Sequence, residues 1–529
     1  MLPVTDESWR HRDLENIFDM KIIDKYLNEI TMYKLTWYYL LALVGIASAL
    51  GFLHVLPISG YDILLNAIVA SLACYFANII FAKLFKAVTN SESALITALI
   101  IVLIFPVKFP YDAPAFAVLS FLAMGSKYLL TVEKRHLFNP AAVAVLMLSL
   151  LSPERAATWW IGTPSMLIPV LIGGFLLVRK IRRTQMVVVF FITFFIVSAL
   201  ATLTRSGSLA SIYLGWQNGL LISAVAFFAF VMFTEPLTSP PTKKLQTIFA
   251  IIVGILYSTP LLRIGLVLTP EMALVIGNIF SFIVSPKYRL ILPLLEKIKV
   301  SPDTYVFVFE KIPKFSFVPG QYMEWTLPHN QVDSRGNRRY FSICSAPHEN
   351  LMMAVKFYTP PSSYKRALLD VKQGTEIVAA SLAGDFVLPK DKSKKLVFIA
   401  GGVGIAPFRS ILEDIIEKKE KVDIIVIFAN KRVEDIIFKN TLKQAYEFGV
   451  KTHYVLTDKE AVPTDWDGLV GHLSEESIKQ MVPDYKNRLF YVSGPQLMVQ
   501  NFEKILLTTG VSKKNLKLDF FPGYIETTA

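Results

Sequence analysis

Leu396-Val397-Phe398-Ile399-Ala400-Gly401-Gly402-Val403-Gly404-Ile405-Ala406-Pro407-Phe408 reads as a short buried strand running into a glycine-rich turn and then a helix. Three glycines within four positions let the backbone turn sharply and approach a bulky anion with no Cβ in the way. Pro407 suits a first helical turn, where its missing N–H costs nothing. A strand, a tight turn and a helix N-terminus together make a dinucleotide phosphate site. The spacing departs from G-x-G-x-x-G, so that fingerprint does not apply. A glycine turn in any α/β domain is the competing reading.

Outward from this turn, the chain divides into unlike halves. Its 529 residues allow about three domains at roughly 150 residues each. Hydrophobic residues make up 53%, charged residues 18%, and the mean hydropathy is +0.47. A soluble average is nearer 45–50% apolar and about 25% charged. The excess sits before residue 285, where apolar runs of membrane-spanning length repeat, and the remainder has the composition of a soluble α/β protein. The net charge is +12, and the basic residues of the first half cluster between the apolar runs, with no basic, aromatic-rich stretch, which argues for membrane topology and against nucleic acid.

Cofactor classes can be narrowed by counting ligands. Cys74 and Cys344 are the only cysteines, so an iron–sulfur cluster, which needs about four Cys or a Cys/His set, is not expected. Of seven histidines only His54 and His136 lie near apolar runs, both at ends, so paired haem ligands are not expected either. No metal site is read from the sequence.

Residues 1–34 form a charged arm ahead of the first apolar run, so no cleavable signal peptide is expected. Apolar runs follow at 35–56, 63–83, 93–107, 114–131, 137–151, 164–178, 186–203, 213–233, 246–262 and 271–285, which predicts about ten helices. Alternate loops are rich in cations: Lys83 and Lys86; Lys134 and Arg135; Arg179, Lys180, Arg182 and Arg183; Lys243 and Lys244; Lys287 and Arg289. The other loops hold only Lys108, Arg155, Arg205 and Arg263. The positive-inside rule then puts both termini and the soluble half in the cytoplasm, on a multi-pass protein of the inner (plasma) membrane.

Four stretches are unusual for lipid-facing helix. Phe138-Asn139-Pro140-Ala141-Ala142 opens a helix with Asn as N-cap and Pro just inside. Trp159-Trp160-Ile161-Gly162-Thr163-Pro164 opens another on the opposite side, and Gly173-Gly174 permits close helix packing. Phe233-Thr234-Glu235-Pro236-Leu237-Thr238-Ser239-Pro240 puts a carboxylate and hydroxyls at a helix end; ordinary capping and interfacial aromatics are the plain alternative for all four.

Phe138–Ala142, Gly173-Gly174 with the following Arg179-Lys180-Ile181-Arg182-Arg183, and Met232–Pro240 resemble the flavin-binding membrane component (the B component) of sodium-pumping NADH:quinone reductases and, equally, the D component of the Rnf electron-transport complex. The resemblance covers residues 35–285 and implies FMN or another flavin held between the helices. In that family FMN is esterified to a threonine of a Ser-Gly-Ala-Thr loop. This chain lacks that tetrapeptide; Thr158 and Thr163 are the nearest threonines, so covalent attachment is not supported.

Segment 296–390 alternates in short strands with Gly and Pro turns, as a small β-barrel does, and residues 394–529 switch to strand–helix alternation with a parallel sheet. The fold class expected is therefore multi-domain: a polytopic α-helical membrane domain (35–285), a β-barrel flavin domain (293–390) and an α/β nucleotide-binding domain (394–529). Arg339-Tyr340-Phe341-Ser342 resembles the Arg-x-Tyr/Phe-Ser/Thr motif of ferredoxin reductase-type flavoproteins, as do Pro319-Gly320-Gln321-Tyr322 and Gly384-Asp385-Phe386-Val387-Leu388-Pro389. Ser362-Ser363-Tyr364-Lys365 resembles the family's second phosphate segment at a helix start, and Gly401-Gly402-x-Gly404-x-x-Pro407 its nicotinamide-nucleotide motif. Ser493-Gly494-Pro495-Gln496-Leu497-Met498 resembles Cys-Gly-Pro-x-x-Met with Ser493 for Cys, and Asp519-Phe520-Phe521-Pro522-Gly523-Tyr524 the C-terminal aromatic segment near the flavin.

The resemblance implies FAD held by Arg339, Phe341, Ser342, Ser362, Ser363 and Phe521, and NAD(P)H held by Gly401, Gly402, Gly404, Pro407, Gly494, Pro495 and Met498. Ser342 and Ser493 would flank the hydride, and a fixed guanidinium at Arg339 suits a pyrophosphate. After the second strand, Asn430-Lys431-Arg432 would suit a 2′-phosphate, but Glu434 and Asp435 follow at once and favour NADH. In the membrane half Thr163 and Glu235 are the candidates for contact with a second flavin, a quinone or an ion. The function expected is a membrane-bound flavoprotein oxidoreductase passing electrons from NAD(P)H through FAD to a flavin or quinone, with Na⁺ or H⁺ movement as its coupled step. The alternative is an electron-donating or assembly subunit of a larger complex that pumps nothing itself.

Overall fold

The computed structural model describes residues 23, 26–27, 30–85, 91–106, 108–132, 135–206, 209–221, 224–258, 268–285, 289–313, 315–333 and 336–519. The N-terminal half is helical: α1 (Met32–Phe52), α2 (Gly60–Leu84), α3 (Ser91–Ile104), α4 (Ala113–Leu129), α5 (Pro140–Leu151), α6 (Pro164–Ile181), α7 (Thr184–Ser206), α8 (Leu209–Leu221), α9 (Lys243–Ser258) and α10 (Pro270–Val284). Four of these, α1, α2, α6 and α7, contain stretches long and apolar enough to cross a membrane by length and composition; α3, α4, α5 and α10 are shorter apolar helices.

The apolar run at 213–233 is not one continuous helix. It divides into α8, a single turn at Val225–Phe227 and a π-helix at Phe228–Met232. A π-turn shifts the carbonyl ladder by one residue and re-aims whatever follows it, here Thr234 and Glu235. Asn139 caps α5 as its sequence suggests, its side chain accepting from Ala142 N at 3.1 Å.

The C-terminal half begins earlier than its alternation indicates. Strand β1 runs from Arg289 to Ser301, directly after the last helix. It is followed by β2 (Thr304–Phe309), β3 (Tyr322–Thr326), β4 (Arg338–Ser342), β5 (Leu351–Lys356), α11 (Ser363–Asp370) and β6 (Glu376–Ala383). These strands form one antiparallel sheet in the order β4-β3-β6-β1-β2-β5. A bridge between Ile343 and Met353 brings its two edges together around a core that includes Phe307, Phe309 and Trp325.

The last part is an α/β unit: β7 (Leu396–Gly401), α12 (Ala406–Lys418), β8 (Ile424–Asn430), α13 (Lys439–Ala445), β9 (Val450–Leu456), β10 (Leu469–Val470), α14 (Glu475–Met481), β11 (Leu489–Ser493), α15 (Gln496–Thr508) and β12 (Leu516–Asp519). The parallel sheet has the order β10-β9-β8-β7-β11-β12, covered by a separate hydrophobic cluster on each face. Chain order reverses between β7 and β11, and open α/β sheets bind ligands at the carboxyl ends of strands flanking such a switch.

Candidate active site at the sheet switch point

At that switch point the glycine turn meets the Ser493 segment. Gly404 packs so closely that a Cβ would lie 2.4 Å from the Ser493 carbonyl oxygen. A Cβ on Gly401 would lie 2.1 Å from Met498 Sδ, so Met498 fills the floor beneath the turn. Gly402 differs: φ is +52° and a Cβ would meet nothing within 4 Å, so this backbone borders open space. Helix α12 starts at Ala406 with Pro407 in its first turn, and α15 starts at Gln496 after Pro495. Two helix N-termini thus converge at the carboxyl ends of adjacent strands, a geometry that favours a pyrophosphate anion.

The second constellation lies at α11. Ser362 is its N-cap, accepting from Lys365 N at 3.2 Å. Ser363 is buried in a knot: its amide donates to Asp333 Oδ2 at 2.9 Å, and its hydroxyl lies 3.0 Å from His329 Nε2. Arg339 points at the same knot. Its guanidinium sits 5.1 Å from the Tyr364 ring centroid, with Nη2 3.8 Å from Asp333 Oδ1 and Nη1 donating to the Gly336 carbonyl at 3.0 Å. Phe341 is buried in the β-sheet core, its ring 6.2 Å from that of Tyr364. Arg339, Ser362 and Ser363 are therefore neighbours, which their separation in sequence does not reveal.

Ser342 and Ser493 meet through a residue whose role the motifs leave open. Asp519 is paired in register with Ser493 across β11 and β12, and the Ser342 and Ser493 hydroxyls both act to lower its carboxyl. Burial pushes the Asp519 carboxyl up to about 6, against the pull of Arg182 and the two hydroxyls. Tyr322 stands opposite Ser342 in the β3–β4 ladder, and burial raises its phenol, with Asp519 adding to the effect. The available signal for Asp519 was its place at the head of the aromatic segment. Phe521 lies outside the described residues.

Arg409 locks the two C-terminal units together. Its guanidinium is bidentate to Glu349, at 2.7 Å for each bond, and donates to the Cys344 carbonyl at 2.9 Å. Beyond β8, Arg432 is engaged by acids, with Nε 3.4 Å from Asp458 and Nη1 3.8 Å from Glu434.

In the helical half two sequence stretches converge on Glu235. Asn139 Nδ2 and Thr238 Oγ1 both donate to Glu235 Oε2 at 3.0 Å, and His136 Nε2 lies 3.7 Å from Oε1. Asn278 completes the cluster: its Oδ1 accepts from Asn139 N at 3.0 Å and its Nδ2 donates to the Thr238 carbonyl at 3.2 Å. A lone amide in the apolar α10 was the sequence signal for Asn278. Thr163 is elsewhere. Its hydroxyl oxygen is buried with no hydrogen-bond partner and lines a small pocket with Ile161, Gly162, Leu167, Val170, Ala224, Ala226 and Phe227. That end of the helices also holds Glu271, buried and accepting from Trp159 Nε1 at 3.2 Å, seven residues and about 10 Å along α10 from Asn278.

Comparison with known proteins fits this division. Residues 29–164 and 159–285 match the NQR2, RnfD, RnfE family model, and residues 398–504 match the oxidoreductase NAD-binding domain. The glycine betaine monooxygenase reductase subunit of Chromohalobacter salexigens is 24% identical over 211 residues, 39% of this chain and 56% of the relative. The F component of the Na(+)-translocating NADH-quinone reductase of Neisseria gonorrhoeae is 28% identical over 247 residues, 43% of this chain and 59% of the relative. The chain spans little more than half the length of these two curated relatives. Among solved structures, a ferredoxin NADP+ reductase from Neisseria gonorrhoeae with bound FAD and NADP aligns with a TM-score of 0.38 at 21% identity, over 45% of this chain and 99% of that one.

Proposed function

We propose that this chain, which joins a membrane portion of the NQR2, RnfD, RnfE family to an oxidoreductase NAD-binding domain, is a flavoprotein oxidoreductase that carries electrons from NADH to an acceptor in its own membrane half. The observation that carries the reading is the switch point, where the Gly401–Gly404 turn packs against the Ser493–Met498 segment and Asp519 stands in register opposite Ser493. The residues fit both groups. Gly402 offers open backbone where a pyrophosphate needs close approach, and Arg339 with the N-terminus of α11 forms a second anion site in the β-domain. Bound flavin supplies the chemistry that turns a two-electron donor into one-electron traffic.

The chain's own residues do the rest. Gly401, Gly402, Gly404, Pro407, Gly494, Pro495 and Met498 bind and orient the nicotinamide nucleotide; Arg339, Phe341, Ser362, Ser363 and Phe521 bind FAD. Ser342 and Ser493 orient the reacting edges and keep a proton shared with Asp519 beside them. Engagement of Arg432 by Asp458 and Glu434 disfavours a 2′-phosphate, which supports NADH over NADPH. In the membrane half the Glu235 cluster faces the acceptor, a quinone or second flavin, with Thr163 lining a separate cavity. The domain limits are 35–285 for the membrane part, 293–390 for the flavin barrel and 394–529 for the nucleotide domain, all termini cytoplasmic.

One preparation tests the reading: full-length protein in detergent, assayed for bound flavin and for NADH and NADPH oxidation with ferricyanide and then with a quinone. Flavin with NADH-driven reduction of both acceptors is expected; protein without flavin, or inert to both nucleotides, refutes it. The alternative, an electron-donating subunit that moves no ion, is separated by following Na⁺ or H⁺ uptake in vesicles during oxidation.

A further inference from the structure

Ser342 ends β4 in the β-domain and Pro407 opens α12 in the nucleotide unit, yet just beyond each of them the chain is joined across the two units. After Ser342 comes Ile343-Cys344-Ser345. Ile343 N donates to the Gln321 carbonyl at 3.0 Å and Cys344 N to the Met352 carbonyl at 3.0 Å, so this segment is fixed to its own sheet. Cys344 and Ser345 are fully buried, and their carbonyls are taken up by α12. Arg409 Nη1 donates to the Cys344 carbonyl at 2.9 Å, and the hydroxyl of the fully buried Ser410 donates to the Ser345 carbonyl at 2.6 Å.

Glu349 closes the joint. Its two carboxylate oxygens accept from Arg409 Nη1 and Nη2 at 2.7 Å each, and Oε2 also accepts from Ala346 N at 2.6 Å. The carboxylate is therefore held by its own turn before it grips the guanidinium. On the far side Glu413 lies 3.4 Å from Arg409 Nη2 and is itself held by the Thr441 hydroxyl at 2.6 Å. The Phe438 ring centroid lies 5.5 Å from the guanidinium carbon. A planar guanidinium makes this whole set of bonds from one rigid fork, which an ammonium cannot do. Val306, Val308, Cys344, Ala354 and Ala406 pack beside it as one buried cluster drawn from both units. A second ion pair between the units, Lys356 to Asp435, is loose at 3.9 Å.

The place of this joint in the chain is what gives it a role. Cys344 follows Ser342 by two residues, and Arg409 follows Pro407 by two, so the joint ties the segment read as flavin-binding to the segment read as nucleotide-binding. We infer that Arg409, with Ser410, sets the separation between the two cofactor motifs: both are positioning residues for the hydride step, acting through Cys344–Ser345 on one side and the glycine turn on the other. This rests on the hydride-transfer reading of the switch point. In that step the C4–H bond of a dihydronicotinamide breaks and its electron pair passes with the hydrogen to the flavin, so the nucleotide is oxidised and the flavin reduced. A misplacement of 1 Å between such partners costs roughly 10²-fold in rate. A joint that opens here therefore slows transfer while leaving each binding motif intact on its own unit.

Full-length wild type, Arg409→Gln, Arg409→Lys and the milder Ser410→Ala are compared for flavin content, ADP-ribose affinity and the rate of flavin reduction by NADH. Spin labels on Glu310→Cys and Lys443→Cys, exposed positions on the two units, read the spread of distances between them; the native Cys74 and Cys344 are buried. In Arg409→Gln the reduction rate is expected to fall by about tenfold or more and the distance distribution to broaden, with flavin content and ADP-ribose affinity unchanged. Arg409→Lys should fare little better, because it keeps the charge and loses the fork, and Ser410→Ala should move both readouts the same way by less. A folded Arg409→Gln that reduces flavin within about threefold of wild type, or keeps the wild-type distance distribution, overturns the inference. Loss of flavin or of ADP-ribose affinity in step with the rate overturns it too. Wild type that carries no flavin, or whose flavin NADH does not reduce, refutes the proposed function and with it the hydride role, while the label distances still test the joint itself.

Discussion

Gly404→Ala is the sharpest test of the nucleotide site, because the structure fixes where the added methyl must go. It would lie 2.4 Å from the Ser493 carbonyl oxygen, 2.6 Å from the Ser493 carbonyl carbon and 2.7 Å from Gly494 Cα. All three are backbone atoms at the end of β11, so no side chain can swing away. Relief to an ordinary contact of 3.4 Å requires the Ser493–Gly494 segment and the turn to part by 1.0 Å. Tyr491, Val492 and Ser493 are paired with Phe398, Ile399 and Ala400, so this displacement is taken up where the reacting edge of the nucleotide is held. Overpacking of this kind costs about 1–3 kcal/mol of stability, the upper end where backbone must move. A misplacement of 1 Å costs roughly 10²-fold in rate, or about 2.7 kcal/mol of barrier.

The assay is kcat/KM for NADH with ferricyanide, normalised to bound flavin. Flavin content should hold, since Arg339 and α11 lie in the β-domain. Gly402→Ala is the internal control: its methyl meets nothing within 4 Å, and only the left-handed φ of +52° opposes it. That strain is about 1–2 kcal/mol, so a loss of about thirtyfold or less is expected. A Gly404→Ala enzyme within about threefold of wild type, or one less impaired than Gly402→Ala, refutes the reasoning.

Three further outcomes follow from named contacts. Burial places Asp519 at about 6 against an ordinary 3.8, so the folded chain holds that proton more tightly than the unfolded chain; the stability this contributes is complete below 3.8 and lost as pH rises through 6. Asp519→Asn should therefore be more stable than wild type above that window, by up to about 3 kcal/mol, while losing the acid limb of its pH–rate profile; thermal unfolding that shows no gain at neutral pH would remove the linkage. Arg409→Ala leaves Glu349, only 17% exposed, without its bidentate partner and should cost about 2–3 kcal/mol, read as a lowered denaturation midpoint of the C-terminal half. Glu235→Gln keeps the Asn139 and Thr238 neighbours but removes the charge, so quinone reduction should fall by about tenfold with ferricyanide reduction unchanged, and equal loss of both would detach Glu235 from the acceptor.

How much of this was legible depended on whether a signal was local. The glycine turn declared itself because Gly402 needs its positive φ and Gly404 its missing Cβ, and both demands are written at single positions. Strand β1 was not, because Pro293 interrupts its alternation; the structure accommodates it beside a register shift between Leu294 and Glu296. The run at 213–233 is uniformly apolar, and composition is blind to the change from α to π bonding at Phe228. Glu235 could be suspected as a carboxylate in an apolar setting, but its partner Asn139, and Asn278 that bonds Asn139 in turn, lie far away in the chain, and no periodicity reports such a contact. Asp519 is a similar case. Its identity is ordinary for a strand end; only its register opposite Ser493 at the sheet switch point makes it a candidate.

The outer face of one β-domain hairpin meets the first membrane helix. Tyr340 donates to Glu324 at 2.8 Å, Glu324 pairs with Arg338, and the Arg338 guanidinium lies over Tyr33. The other end of the same hairpin carries Ser342 and Tyr322. Contacts this polar and this few contribute little net binding energy apiece, so two separate proteins meeting through them would dissociate readily. In one chain the encounter is intramolecular, and a modest interface suffices because the effective concentration is in the millimolar range for a short connection.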